Sequence, residues 1–365
     1  MAGGAIGVAV LPRLGALAGA TPGAGALRCG AMPVAIFAHA MRSAHASAAH
    51  ALSRLPVAAL ASLACRREIL AGLLSQQASI CPKYFYDQRG SELFEAITRL
   101  PEYYLTRTER ALMRRHGRAI AEALGEARVV IEPGAGSCDK ARMLCRSLAA
   151  THFVGVDISA DCLQDGIARL RRALPGLDAR AVAGDITAGL RLPPDVPATR
   201  RLVFYPGSSI GNFDPPQALA LLRQMRALAG NGGALLIGID LPKDRAMLEA
   251  AYDDAAGVTA AFNRNVLSHI NRLAGSDFEP QQWRHLAFFN EAASRIEMHL
   301  QAMGAQRVRW PGGGRDFAAG ERIHTENSYK YPLPAFVAML REAGFVACQS
   351  WTDARGWYAM LHARA

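Results

Sequence analysis

The feature that most constrains this chain is a change of hydrophobic period that recurs along its middle. Ala127-Arg128-Val129-Val130-Ile131-Glu132, Phe153 to Asp157, Ala179 to Ala183, Leu202 to Phe204 and Ala234 to Ile239 are short apolar, largely β-branched runs. Each has the length of a strand, and helically spaced stretches separate them. Strands alternating with helices predict an α/β fold, a parallel sheet with helices on both faces. Such sheets bind ligands outside the C-terminal ends of their strands, which is where Glu132, Gly134, Asp157, Asp185 and Asn212 fall. With 365 residues and 51% hydrophobic content, the chain can bury a large core and build two lobes.

On either side the rhythm differs. Residues 66–75 and 91–100 read as helical, punctuated by Pro82 and Pro101. Thr106 or Thr108 is expected to cap a helix running from Glu109 to Leu124. Between Lys243 and Tyr331 the alternation stops. A long helical region, Asp244 to Ala274, leads into mixed segments holding Arg295 to Leu300 and Gln306 to Trp310. A helix from Pro334 to Ala343 and strands over Val346 to Trp351 and Trp357 to Leu361 then resume the pattern. There are no internal repeats.

Charge and composition exclude several classes. Six of the net ten positive charges are arginines in residues 1–67, which hold no Asp, Glu or Lys, so the remainder carries +4. No dense basic block is interleaved with aromatics, and a nucleic-acid footprint is unsupported. The seven cysteines are scattered, without a C-x-x-C pair, as in a reduced cytosolic protein. The histidines lack metal-ligand spacing; His324 beside Glu326 is an isolated pair, and no metal is expected. Prolines and arginines interrupt every apolar run before it reaches membrane-spanning length. Residues 1–63, rich in Ala and Gly, read as a disordered or wrongly started extension without chemistry, with Met41 an alternative start.

Gly134-x-Gly136, directly after the first strand, lets backbone approach a ligand where a side chain would clash. Asp157 ends the second strand, 21 positions beyond Gly136, and is placed to accept from ribose hydroxyls. A dinucleotide reading requires a third glycine near position 139, where Asp139 stands. Glu132 and Asp139 also oppose a pyrophosphate, whereas a cationic ligand without phosphate gains from them.

Longer motifs accompany this turn. They are Phe85-Tyr86-Asp87-Gln88-Arg89-Gly90-Ser91, Leu100 to Glu109, Gly207-Ser208-Ser209-Ile210-Gly211-Asn212-Phe213, Ala251-Tyr252-Asp253-Asp254 and Gly257 to Asn263. Arg295 to Leu300, Ile323-His324-Thr325-Glu326-Asn327-Ser328-Tyr329-Lys330-Tyr331 and Trp351-Thr352-Asp353 follow. In this order they resemble the histidine-specific methyltransferases of ergothioneine biosynthesis, which use S-adenosylmethionine to trimethylate the α-amine of L-histidine. The resemblance runs from about Arg66 to the C-terminus, and several ordered motifs are far more specific than one short pattern.

The resemblance implies a class I S-adenosylmethionine-dependent methyltransferase, Rossmann-like, with a second, substrate-binding lobe. The lobe is expected from residues 64–108 and 243–331, and the Rossmann-like domain from 109–242 and 332–365. For the cofactor it implies Glu132, Gly134, Gly136, Asp157 and Gly207, with Lys140 at the methionine carboxylate, Asp185 at the adenine amino group and Ile186 backbone beside it. Ala141, where the family usually has Thr, and Pro133 depart from the pattern. For the substrate it implies Tyr86, Tyr103, Asn212 and Tyr252 around the α-amine and carboxylate, with Tyr86, Asn212 and Tyr252 catalytic. Met298, Glu326 and Ser328 surround the imidazole.

Each has a plainer reading. Asp185 suits a strand-end turn, Tyr252 a helix core, Met298 a gap-filler and Glu326 a solvated loop. The implied partner is L-histidine alone, taken to hercynine by a cytoplasmic monomer with no nucleic acid or membrane. Alternatives are methylation of another amino acid such as a tryptophan-like substrate, a nucleotide-binding oxidoreductase, and a binding module without catalysis. Asp139 and the absence of a nicotinamide-side motif disfavour the oxidoreductase, and eight intact site positions disfavour the binding module. A chain starting at Met41 is expected to keep full activity.

Overall fold

The computed structural model describes residues 57–365. Met41 and most of the stretch read as an extension lie outside the described residues; residues 57–63 are helical, within α1 (Val57–Leu74). Seven strands form the central sheet: β1 (Val129–Pro133), β2 (His152–Asp157), β3 (Asp178–Ala183), β4 (Arg201–Tyr205), β5 (Ala234–Asp240), β11 (Ala347–Thr352) and β12 (Tyr358–Arg364). Their spatial order is β11-β12-β5-β4-β1-β2-β3. β1 to β5 are parallel, and β12 runs against both of its neighbours. β1 is buried along its whole length, as a strand covered by helices on both faces must be.

Helices α4 (Asp139–Ser147) and α5 (Ala160–Ala173) pack on one face, where Leu144, Leu163 and Ile167 join Val130, Phe153 and Phe204 in one apolar cluster. On the other face α6 (Pro215–Ala229) and α9 (Leu333–Glu342) bring Leu222, Met225 and Phe336 against Val203, Leu235 and Ile237. α6 starts at Asp214, whose side chain and that of Gln217 close a capping box, satisfying two backbone N–H groups that the helix leaves free.

Two sequence expectations are corrected. Helix α3 spans Tyr104–Leu124, beginning five residues before the expected Glu109, and Thr106 is buried inside it rather than capping it. Tertiary contacts decide this start: Tyr104 and Leu105 are buried, and the Tyr104 hydroxyl donates to Asp240 at 2.6 Å. The long helix expected from Asp244 to Ala274 is two, α7 (Arg245–Ala250) and α8 (Val258–Ala274). Between them Asp254 accepts the N–H groups of Val258 and Thr259, and Gly257 takes a φ of 71°, a left-handed turn that favours glycine.

The mixed segments prove to be sheet. β6 (Trp283–Asn290), β7 (Arg295–Ala302) and β10 (Arg322–Tyr329) form an antiparallel sheet in the order β10-β7-β6, and β8 (Gln306–Trp310) pairs with β9 (Gly313–Phe317). Ile296, Met298 and Leu300 share one apolar cluster with Ile69 of α1, Leu93 of α2 (Gln88–Ile97) and Phe262 and Val266 of α8. A bulge between His324 and Glu326 shifts the register, so that Glu326 pairs with Met298 and Ser328 with Ile296. One extra residue thereby re-aims the end of β10.

Gly238 on β5 is a tight packing point. A Cβ there would lie 2.2 Å from the Tyr358 hydroxyl and 2.6 Å from Glu109 Oε1, and Tyr358 is fully buried. Gly238→Ala is expected to cost ~1–3 kcal/mol of stability in denaturant unfolding. An unchanged midpoint would show that this junction yields.

Candidate active site

A cleft of about 1410 Å³ lies at the C-terminal edge of the central sheet and reaches β10. Single small-molecule pockets occupy roughly 300–1,000 Å³, so two ligands have room. Tyr86, Tyr103, Glu132, Gly134, Gly136, Lys140, Asp157, Asp185, Ile186, Gly207, Asn212 and Glu326 all line it. Tyr252, Met298 and Ser328 do not: they are buried behind the lining.

At the sheet end, Gly134 and Gly136 have φ values of 69° and 48°, with open space where side chains would be. The turn needs glycine for its backbone conformation. Asp157 is held by two backbone donors, Gly136 N–H to Oδ2 and Ser159 N–H to Oδ1, each at 2.9 Å. Both oxygens keep a lone pair for another donor. Glu132 is buried and its Oε2 has no partner among the described residues. Burial pushes its pKa well above the carboxylate range, with Lys140 opposing.

Glu109, which the sequence reading passed over, organises this end. It is 1% exposed; its Oε1 accepts from Gly207 N–H and the Tyr358 hydroxyl, each at 2.6 Å, and its Oε2 pairs with Lys140 at 2.6 Å. Lys140 is thereby fixed beside Gly207. Only a carboxylate on the second turn of α3 signalled it. Asp185 already has partners: Oδ1 accepts from the N–H and hydroxyl of Thr187, and Oδ2 pairs with Lys83 at 2.9 Å. Its turn role is therefore present alongside any ligand role. An orphaned acid, a held ammonium and an open glycine turn fit a ligand carrying both a cation and a carboxylate, such as S-adenosylmethionine.

At the far end the walls are aromatic. Tyr86 meets Phe94 and Phe262 edge-on at 5.7 and 5.9 Å, Phe94 meets Tyr103 at 6.3 Å, and Tyr103 meets Tyr252 at 6.3 Å. Burial, chiefly, raises the phenols of Tyr86, Tyr103 and Tyr252 well above their ordinary pKa. They are therefore poor bases and good neutral hydrogen-bonding groups. The Asn212 side-chain amide, at the end of a short 3-10 turn (Ser209–Asn212), makes no hydrogen bond among the described residues.

Shielding from bulk water pushes Glu326 up to about 8, with the charge of Lys330 opposing. Behind it the Tyr252 and Ser328 hydroxyls lie 2.6 Å apart, and Lys330 donates to both. On the opposite face of the same sheet Glu297, His299 and His324 come together. Arg295 and Asn290 already hold Glu297, and His299 Nε2 lies 3.0 Å from its other oxygen. These bonds tie the cluster together, and His299 Nδ1 has no partner among the described residues. The six cysteines among the described residues are free thiols, and no described helix is long and apolar enough to cross a membrane.

A sheet in which β12 alone is reversed, a glycine turn after β1 and an acid closing β2 define the class I methyltransferase fold. The chain belongs to the family described as histidine-specific methyltransferase, SAM-dependent, whose model matches residues 65–365. It is 42% identical over 306 residues to the histidine N-alpha-methyltransferase of Mycolicibacterium smegmatis, covering 82% of this chain and 94% of that protein. The protein of the same name from Mycobacterium tuberculosis is 41% identical over 305 residues, with the same coverage. An L-tryptophan methyltransferase of Psilocybe serbica is 28% identical over 340 residues, covering 82% and 92%.

A carboxyl whose pKa is raised by burial must lose its proton to favour a cation. S-adenosylmethionine affinity is therefore expected to rise with pH above the ordinary carboxylate range and to lose that dependence in Glu132→Gln. Parallel pH profiles in calorimetric titrations would remove Glu132 from the cofactor.

Proposed function

We propose that this protein transfers three methyl groups from S-adenosylmethionine to the α-amine of L-histidine, giving hercynine, the first step toward ergothioneine. The observation that carries the reading is Glu326. It is a half-buried carboxyl, with no side-chain hydrogen bond among the described residues, at the end of a cleft whose other end suits a sulfonium cofactor. Burying such a group pays only when a ligand supplies the missing partner. An imidazole N–H does; phenylalanine and leucine side chains do not. An indole also has an N–H but greater bulk, and Met298, 1% exposed and paired across the strands with Glu326, leaves little space for it.

S-adenosylmethionine, when bound, supplies an electrophilic methyl group on a sulfonium. The protein's part is to position and to desolvate, which accounts for much of the gain in a displacement. Only the neutral amine has a lone pair, so a proton leaves in each round, and the product has no N–H. A site relying on the amine as donor would fail in the last round. Asn212, whose amide can donate or accept, and the neutral phenols of Tyr86, Tyr103 and Tyr252 suit a partner that changes in this way. Tyrosine faces also stabilise a quaternary ammonium by cation–π attraction. The raised phenols make water, rather than Tyr86, the proton acceptor.

Glu132, Gly134, Gly136, Lys140, Asp157, Asp185, Ile186 and Gly207 are assigned to the cofactor. Residues 64–108 with 243–331 serve as the substrate lobe, against 109–242 with 332–365 for the cofactor. Glu326→Ala is expected to lower kcat/KM for L-histidine ~100-fold or more while S-adenosylmethionine binding holds within about threefold. Asp157→Ala should do the reverse, weakening the cofactor ~10- to 100-fold. Equal losses of both ligands in either variant would point to a damaged fold and a wrong assignment.

A further inference from the structure

We propose that Lys330 is a positioning residue that makes Ser328 a hydrogen-bond donor, so that the site demands a ring acceptor of its substrate. The inference deepens the histidine reading and rests on it. Lys330 follows β10 and is 1% exposed. Its ammonium lies 2.9 Å from Asp240 Oδ2, 2.8 Å from Ser328 Oγ and 3.3 Å from the Tyr252 hydroxyl oxygen. An ammonium has three N–H donors and no acceptor, and all three are taken.

The oxygens of Ser328 and Tyr252 therefore both accept from Lys330. The 2.6 Å contact between them uses one of their two hydroxyl protons and leaves one free. A phenol is a stronger acid than an alcohol, so the bond runs from Tyr252 to Ser328. The proton left over is that of Ser328. Glu326 and Ser328 are two residues apart on β10, beyond the bulge, and pair with Met298 and Ile296, so they point to the same face. Glu326 lines the cleft and Ser328 lies behind that lining, so a ring that reaches Ser328 would meet an acceptor and a donor on one face. A neutral imidazole offers the complement, one N–H and one bare nitrogen. An indole has no bare nitrogen and would leave Ser328 unpaired, a penalty separate from its size.

The charges agree with this assignment. Asp240 is shared by Lys330 and Lys243, the latter at 2.6 Å, so two ammoniums face one carboxylate. The surplus lies toward Glu326, where Lys330 is the charge that offsets burial. The other titratable groups facing Glu326 are Tyr86, Tyr103 and Tyr252. Removing Lys330 thus costs the site both the donor at Ser328 and part of the ionisation of Glu326.

The test is a double-mutant cycle with Lys330→Met and Ser328→Ala, reading kcat/KM for L-histidine and, separately, S-adenosylmethionine affinity. Each single variant is expected to lose ~30- to 100-fold in kcat/KM, with cofactor affinity within about threefold. The double variant should fall no more than about threefold below the worse single one, because both changes remove the same donor. Losses that multiply, or cofactor affinity falling as far as kcat/KM in Lys330→Met, would overturn the proposal.

A second measurement needs no change at Lys330. Ring-15N-labelled L-histidine bound to the wild-type protein should show one protonated and one bare nitrogen, the bare one shifting in Ser328→Ala. Two protonated nitrogens would overturn the donor assignment even if histidine is methylated. A wild-type protein that neither binds nor methylates histidine would instead sink the functional reading, and this proposal with it.

Discussion

The carboxylate of Asp240 is the group on which the site depends. It ends β5 and is completely buried. It accepts from the Tyr104 hydroxyl at the start of α3, from Lys243 after β5 and from Lys330 after β10. Its own N–H donates to Ser208, beside the turn that carries Asn212. Four separate segments are thereby fixed to one strand end. A buried carboxylate serving two lysines and a phenol is stable only as a complete set, since removing one partner typically costs ~3–5 kcal/mol. That interdependence gives Ser328 and Tyr252 single positions instead of several rotamers.

The cleft divides its work by environment. Near β1 and β2, backbone donors and paired charges hold Asp157 and Lys140 rigidly, and Glu132 Oε2 has no partner among the described residues. Near β10 the walls are aromatic, and the Glu326 side chain makes no hydrogen bond among the described residues. Apolar shape alone separates similar side chains by only ~1–3 kcal/mol. A buried polar pair that an incorrect ring leaves unpaired separates them further. On the proposed reading, selectivity falls to Glu326 and Ser328, with Met298 limiting size.

The sheet was legible because strands buried on both faces carry continuous apolar runs, and the observed β1 to β5 lie within two residues of those runs. The glycine turn and Asp157 were legible from spacing, and the cleft-lining residues from the family resemblance. β6, β9 and β10 were not, because Arg, Glu, His and Asn on their polar face mask the alternation. Thr106 misled because capping propensity is weaker than burial of Tyr104. Glu109, Asp240 and Lys330 were invisible as a set: each is an ordinary charged residue in sequence, and only the fold shows that their partners come from distant segments.

The most direct test of the account is mass spectrometry of the purified protein incubated with S-adenosylmethionine and an equimolar mixture of the twenty amino acids. Trimethylated histidine is predicted as the dominant product. A different amino acid carrying the methyl groups would leave the fold and cofactor in place and contradict Glu326 and Ser328 as the groups that choose the substrate.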